Sequence, residues 1–230
     1  YGKRLHGGRL FKLLRILQSV QEPIRIKSQI YARNLIYGGV IMNFKGAIFD
    51  MDGTILDSMK LWEEIDIEFL SKRGYGVPED YMRSIAHMGA MDTALYTIKR
   101  FNLKDTPEAL IDEWLTSALK KYKSVPEKEG VSEYFSYLYE NGVKIAVATA
   151  TERSVAENAL EDRGFYKLID SIVTIADVKR GKGFPDIYLK AAENLGLDSG
   201  DCIVFEDILV GVRAAKEGGF LTYGIYDERS

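Results

Sequence analysis

The stretch "AIFDMDGTILD", residues 47–57, decides the fold. It begins as a run of apolar residues and ends as a polar loop, with Asp50 and Asp52 at the point where one gives way to the other. An apolar run of four to six residues that stops at acids reads as a buried strand delivering its last side chains to a sheet edge.

Outward from this point the pattern has two parts. After the first strand, about residues 45–50, come three helical stretches. Residues 58–73 carry Leu61, Ile65, Phe69 and Leu70 at helical spacing, and residues 79–101 are helical with a break near Gly89. The third is "TPEALIDEWLTSALKKY", where Thr106 is placed to cap and Pro107 falls at the first helical position. Trp62 and Trp114 sit in the apolar stripes of these helices and read as their core. Pro126 and Gly130 mark the return.

From there strands and helices alternate. Helices are expected over 131–141, 153–163, 185–195 and 209–217, and strands over 143–149, 171–175, 202–206 and 221–225. The strands are nearly continuous apolar runs, such as "CIVFE" at 202–206. Strands of that kind separated by helices imply a parallel sheet covered on both faces. The expected architecture is therefore α/β, a Rossmann-like parallel sheet core with a small inserted helical cap. The expected division is 42–57 with 125–230 for the core and 58–124 for the cap, with hinges near 56–60 and 123–127.

Composition narrows the setting. The chain has 230 residues, 46% hydrophobic and 28% charged, with one cysteine, Cys202, and two histidines, His6 and His87. No apolar run approaches the ~20 residues that span a bilayer. One cysteine allows no internal disulfide and no cysteine-built zinc site. A cytoplasmic, monomeric protein with no membrane partner is expected.

Charge is uneven. Residues 1–41 hold eight Lys or Arg against Glu22 alone, a net +7, whereas the rest carries −10. An acidic body argues against a nucleic-acid partner. The basic leader reads as a nucleic-acid or membrane arm, as a transit peptide, or as sequence that does not belong to the native protein; the last is expected. The codons for Gly38 and Gly39 can read as a ribosome-binding sequence just ahead of Met42, where translation is then expected to begin. The alternative for this region is an amphipathic helix over residues 9–20, with Leu10, Leu13, Leu14 and Leu17 on one stripe.

In a parallel sheet, ligands bind beyond the carboxyl ends of the strands. Those ends carry Asp50 and Asp52, then Thr149, then Glu206 and Asp207, with Lys182 in the connection "KRGKGFPD". Taken singly, each has an ordinary reading: an acidic turn, a strand threonine, a helix cap, a solvated lysine. Taken in order, they converge on one rim. Gathered carboxylates repel unless one is protonated or a cation sits among them. An all-oxygen set suits Mg2+, which also accepts phosphate oxygens. Lys182, Thr149 and the helix start after Thr149 would hold the phosphate's other oxygens. An ionised carboxylate is a nucleophile without help from a base, so Asp50 can attack phosphorus while Asp52 moves protons.

These motifs, "DMDGT", Thr149, Lys182 in "GKGFPDIYL" and "FEDILVGVRAAKEGG", resemble the four ordered motifs of the haloacid dehalogenase superfamily over residues 43–227. The inserted helices are similar to the cap of its beta-phosphoglucomutase and phosphoglycolate-phosphatase group. The resemblance implies Asp50 as nucleophile, Asp52 as general acid/base, Thr149 and Lys182 as phosphoryl contacts, and magnesium on Asp50, the Asp52 carbonyl and Asp207 with Glu206 beside them. An acid at position 52 implies a phosphatase or phosphomutase acting on a small phosphorylated metabolite such as a sugar phosphate. Met91 stands where the mutase pattern implies a phosphate-binding Arg, which favours the phosphatase. Ile208 stands where Ser is common. His87 and Asp92 in the cap are candidate substrate contacts. The alternatives are a sugar phosphomutase and a non-catalytic phospho-ligand binder.

Overall fold

The computed structural model describes residues 35–37, 40–42 and 44–227. Strands β1 (Leu35–Tyr37) and β2 (Val40–Met42) pair antiparallel. The amphipathic stretch expected over 9–20 lies outside the described residues. Among the described residues, no helix is long and apolar enough to cross a membrane.

The main sheet has five strands: β3 (Gly46–Phe49), β4 (Lys144–Thr149), β5 (Ser171–Thr174), β6 (Cys202–Glu206) and β7 (Leu221–Gly224), in the order β5-β4-β3-β6-β7. Every pairing among them is parallel. The expected α/β fold is borne out, and each main-sheet strand begins and ends within a residue of its predicted span. Strand β3 is central. The chain adds β4 and β5 on one side of it, then crosses to add β6 and β7 on the other. The crevice beyond the carboxyl end of β3 is therefore the switch point where such sheets bind ligands.

Alternate residues of each strand feed opposite faces. Ala47, Phe49, Ile145, Val147 and Phe205 pack with α5 (Val131–Glu140) and α6 (Arg153–Glu161). Ile48, Ala146, Ala148 and Val204 pack with α7 (Asp186–Leu195) and α8 (Leu209–Glu217). On the first face the in-register residues Phe49, Phe205 and Tyr223 stack across three strands, with centroids 4.6 and 6.0 Å apart. Aromatic pairs of this kind hold register, since a one-residue slip would send all three to the other face.

Four helices lie between β3 and α5: α1 (Met59–Ser71), α2 (Tyr81–Ile85), α3 (Ala90–Phe101) and α4 (Pro107–Lys121). Gly89 separates α2 from α3 as its position suggested, and the Thr106 hydroxyl caps α4 by accepting from the Ala109 N–H at 3.3 Å. The two segments leading into and out of these helices lie side by side. The Asp57 N–H donates to the Pro126 carbonyl at 2.9 Å, and Lys128 N–H to Ile55 at 2.8 Å.

Candidate active site

The site starts from the end of β3. The Asp50 N–H donates to the Phe205 carbonyl at 2.9 Å, so the ladder with β6 continues through the aspartate and fixes its Cα. The chain then turns sharply. Ile55 and Leu56 both return their N–H groups to the Met51 carbonyl. Gly53 has φ +78°, and a Cβ there would lie 2.2 Å from Asp207 Oδ2. Glycine is required on both counts: it tolerates the left-handed backbone, and it lets the Asp207 carboxylate close on the loop.

Asp50 is buried, and its carboxylate meets the Lys182 ammonium. Lys182 also donates to Glu206 at 2.9 Å. Glu206 is fully buried and accepts twice more, from Tyr188 Oη at 2.7 Å and from the Ile208 N–H at 3.2 Å. Its oxygens are thus held by the protein, and its role is to fix Lys182 against Asp50. Helix α8 can approach this closely only because Gly211 has no Cβ, which would lie 2.7 Å from both Glu206 Cδ and Tyr188 Oη.

Burial pushes the Asp50 carboxyl well above the usual carboxylate range; Lys182 opposes this, while Glu206, Asp207 and Asp52 add to it. Burial by itself would lower the Lys182 pKa, but Asp50 and Glu206 outweigh it and raise it. Asp50, Glu206 and Asp207 offer oxygens that all lie within 4.8 Å of one another. A repelling, all-oxygen carboxylate group of this size suits a hard divalent cation, and the donor set fits Mg2+. Among the described residues, Asp50, Glu206 and Asp207 are the group that could hold it.

Asp52 is gripped by four donors. Ser58 Oγ at 2.5 Å, Trp62 Nε1 at 3.3 Å and the Tyr122 hydroxyl reach one oxygen, and Thr151 Oγ1 at 2.6 Å reaches the other. Burial first, and Asp52 next, raise the Tyr122 pKa, so the phenol stays a donor. Three of these four come from the ends of the inserted helices and one from the loop after β4, so Asp52 is oriented by both parts of the molecule at once.

Thr149 is fully buried at the end of β4, and its hydroxyl accepts from the Thr151 N–H at 3.0 Å. The expectation for the helix start beyond it needs correction. The Glu152 carboxylate caps α6, accepting from Ser154 N–H at 2.7 Å and Val155 N–H at 3.4 Å. A side-chain carboxylate, rather than a ligand anion, meets those two donors.

A cavity of about 160 Å3 opens over these groups and runs beneath the inserted helices. The structure brings Asp50, Asp52, Lys182, Glu206 and Asp207 to it. It does not bring Thr149, His87 or Asp92, which are not among its lining residues. Asp92 is exposed in the first turn of α3, and the His87 carbonyl accepts from the Lys182 N–H at 3.3 Å.

Sequence reasoning missed Ser58, Trp62, Tyr122, Thr151, Tyr188 and Asp66. Ser58, Trp62 and Asp66 recur every four residues, a stripe that helical spacing could have exposed. Asp66 is 5% exposed and lines the cavity, and burial pushes its carboxyl up to about 7. Its titratable neighbour is Tyr81. The unfolded chain releases the Asp66 proton near pH 4, the folded chain only near 7. The folded state binds more protons between those values, so stability falls as pH rises from about 4 to about 7 and stays reduced above that. The loss amounts to about 4 kcal/mol at most. Asp66→Asn is therefore expected to raise Tm by roughly 5–10 °C at pH 8 and by little near pH 4.5. A thermal-melt series across that range checks this; a gain independent of pH would show that the charge is not the cause.

The model of the haloacid dehalogenase-like hydrolase family matches residues 47–225. The validoxylamine A 7'-phosphate phosphatase of Streptomyces hygroscopicus subsp. limoneus is 29% identical over 182 residues, covering 79% of this chain and 85% of that protein. The fructose-1-phosphate phosphatase YqaB of Escherichia coli (strain K12) is 31% identical over 186 residues, covering 76% and 93%. Among solved structures, the beta-phosphoglucomutase of Clostridium difficile superposes with a TM-score of 0.71 at 20% identity, covering 78% of this chain and 83% of that one, a likeness of fold.

Proposed function

The chain belongs to the haloacid dehalogenase-like hydrolase family, and from that premise we propose that it is a magnesium-dependent phosphatase hydrolysing a small phosphorylated metabolite through an aspartyl-phosphate on Asp50. Phosphorylated carbohydrates are the class that the relatives' names support. The observation that carries the reading is the pair at the end of β3: a buried Asp50 held by Lys182, and an Asp52 held by four donors two residues on.

One Asp50 oxygen attacks phosphorus, and the bond to the leaving oxygen breaks. Asp52 delivers a proton to that oxygen, so the product departs as an alcohol. Water then attacks the phosphorus of the aspartyl-phosphate, giving its proton to Asp52 and restoring Asp50. Lys182 holds the non-bridging oxygens. Thr149 helps to hold them, because its hydroxyl accepts from Thr151 and so keeps its own proton to donate. Magnesium, when bound, would offset negative charge as it builds on the phosphoryl group.

The residues 58–124 act as a cap in this reading. Ser58, Trp62 and Tyr122 complete the grip on Asp52 only when the helices sit over the sheet, so closure and proton transfer are linked. The test is a screen of phosphorylated metabolites with and without magnesium, including glucose 1-phosphate with a trace of its bisphosphate. Free phosphate is the expected product, and EDTA is expected to lower its release by about 100-fold or more. Accumulation of glucose 6-phosphate without free phosphate would make the enzyme a mutase instead.

A further inference from the structure

We propose that Arg163 is a positioning residue for proton transfer: it latches the chain where it leaves the inserted helices and, through Tyr122, keeps Asp52 aligned. The inference rests on the phosphatase reading and goes beyond it, to a residue that does not line the cavity.

Arg163 lies in the turn after α6 and is half-buried. Its guanidinium donates to three main-chain carbonyls: Ala159 at 2.5 Å, Tyr122 at 2.7 Å, and Val125. Ala159 belongs to α6 itself, one turn back, so that bond ties the fork to its own helix. Tyr122 opens the 3-10 turn Tyr122–Ser124 that follows α4, and Val125 comes directly after it. The last carbonyls of a helix have no partners within it, and a cation there also meets the negative end of the helix dipole. Burial lowers the Arg163 pKa, with Asp162, Tyr122 and Glu127 opposing it. The charge is thus partly withdrawn from water and answered by carbonyls.

The residue under this latch is the one that reaches Asp52. The Tyr122 hydroxyl donates to Asp52 and accepts from Trp62 Nε1 at 3.0 Å. Its ring is buried and meets the Trp62 ring edge-on at 6.0 Å. A packed tyrosine has little torsional freedom, so where its main chain sits decides where its hydroxyl sits. Helix α6 therefore governs both oxygens of Asp52. Thr151, two residues before its first turn, donates to one oxygen. Arg163, just past its last turn, holds Tyr122 on the other. An acid that must meet a leaving oxygen is sensitive to such placement, since a shift of about 1 Å can cost on the order of 100-fold.

Two variants test this: Arg163→Met keeps the stem and loses the fork, and Arg163→Lys keeps the charge without the fork's geometry. The lysine variant also carries the comparison should the methionine variant fail to fold. Two esters of similar size are compared with magnesium. Benzyl phosphate has an alkoxide that must be protonated to leave, and 4-nitrophenyl phosphate has a phenolate that leaves unaided. The measured quantity is kcat/KM, which covers the reaction up to departure of the alcohol. For Arg163→Met the benzyl-to-nitrophenyl ratio of kcat/KM is expected to fall about tenfold, with Arg163→Lys between it and the wild type. In a Tyr122→Phe background the same change is expected to move the ratio by less than about twofold, because the hydroxyl it places is gone. Independently of turnover, trypsin is expected to cut after the exposed Lys123 about tenfold faster in Arg163→Met than in the wild type. The proposal is overturned if both esters slow by the same factor, if the ratio still shifts without the Tyr122 hydroxyl, or if the tryptic rate is unchanged. A protein that hydrolyses no phosphate ester yet gains the tryptic cut would keep the latch and remove the phosphatase reading instead.

Discussion

Asp50→Asn lowers kcat for phosphate release by about 10⁴-fold or more while the protein remains folded; losing a nucleophile outright has effects of this size. The substitution changes two atoms' chemistry and almost nothing else. The main-chain bond from residue 50 to Phe205 is untouched. The amide oxygen can still accept from Lys182, and Lys182 keeps Glu206 as counter-ion. What is lost is the ionised oxygen, since an amide oxygen is a poor nucleophile and the amide nitrogen is none. The companion measurement is trapping of phosphate on the chain. Acid quench with a labelled substrate should leave the label on the wild-type protein and none on the variant. Phosphate release at the wild-type rate from Asp50→Asn would strip Asp50 of its role and shift attention to water attack on the ester.

The sequence carried much of this site, and the reason is geometric. A strand that ends in an acid must place that acid on the rim, and a parallel sheet gathers every such end on one rim. Asp50, Glu206 and Asp207 follow from that rule, and the structure brings them within 4.8 Å. Three other features were not legible. The grip on Asp52 joins Ser58 and Trp62, one turn apart, to Tyr122 and Thr151, and no local pattern connects that pair to the other two. The strand order was also hidden, because hydrophobic runs state that strands are buried but not on which side of β3 each is added. Asp66 was masked by its neighbours: with Ile65 and Ile67 on either side it passes for the polar half of an amphipathic helix, although it lies on the buried arc with Ile65 and Phe69. Glu152 misled for a related reason. A helix start beside a phosphate site invites the anion, and only the fold shows that the Glu152 side chain is already there.

Lys182→Met should prove the most destabilising substitution in the site, and the reasoning turns on what it leaves behind. Lys182 is 2% exposed and is the cation paired with both Asp50 and Glu206. Methionine keeps the length and the apolar stem, so packing is largely preserved. The two carboxylates then face each other, with Asp207 close by and the Lys182 charge gone. Removing one partner of a buried ion pair costs about 3–5 kcal/mol, because the remaining charge has neither water nor counter-ion. For a domain of this size that corresponds to a fall in Tm of roughly 10 °C. Turnover should fall by about 10³-fold as well, as expected when a charged contact to the transferring group is removed. Magnesium separates charge from packing. A cation that binds only the folded carboxylate cluster stabilises it by mass action, and the variant's cluster is more negative than the wild type's. Millimolar magnesium should therefore raise the Tm of Lys182→Met by more than that of the wild type. Equal increments in both proteins, or a fall in Tm of only a degree or two, would show that Lys182 fills space and does not neutralise the cluster.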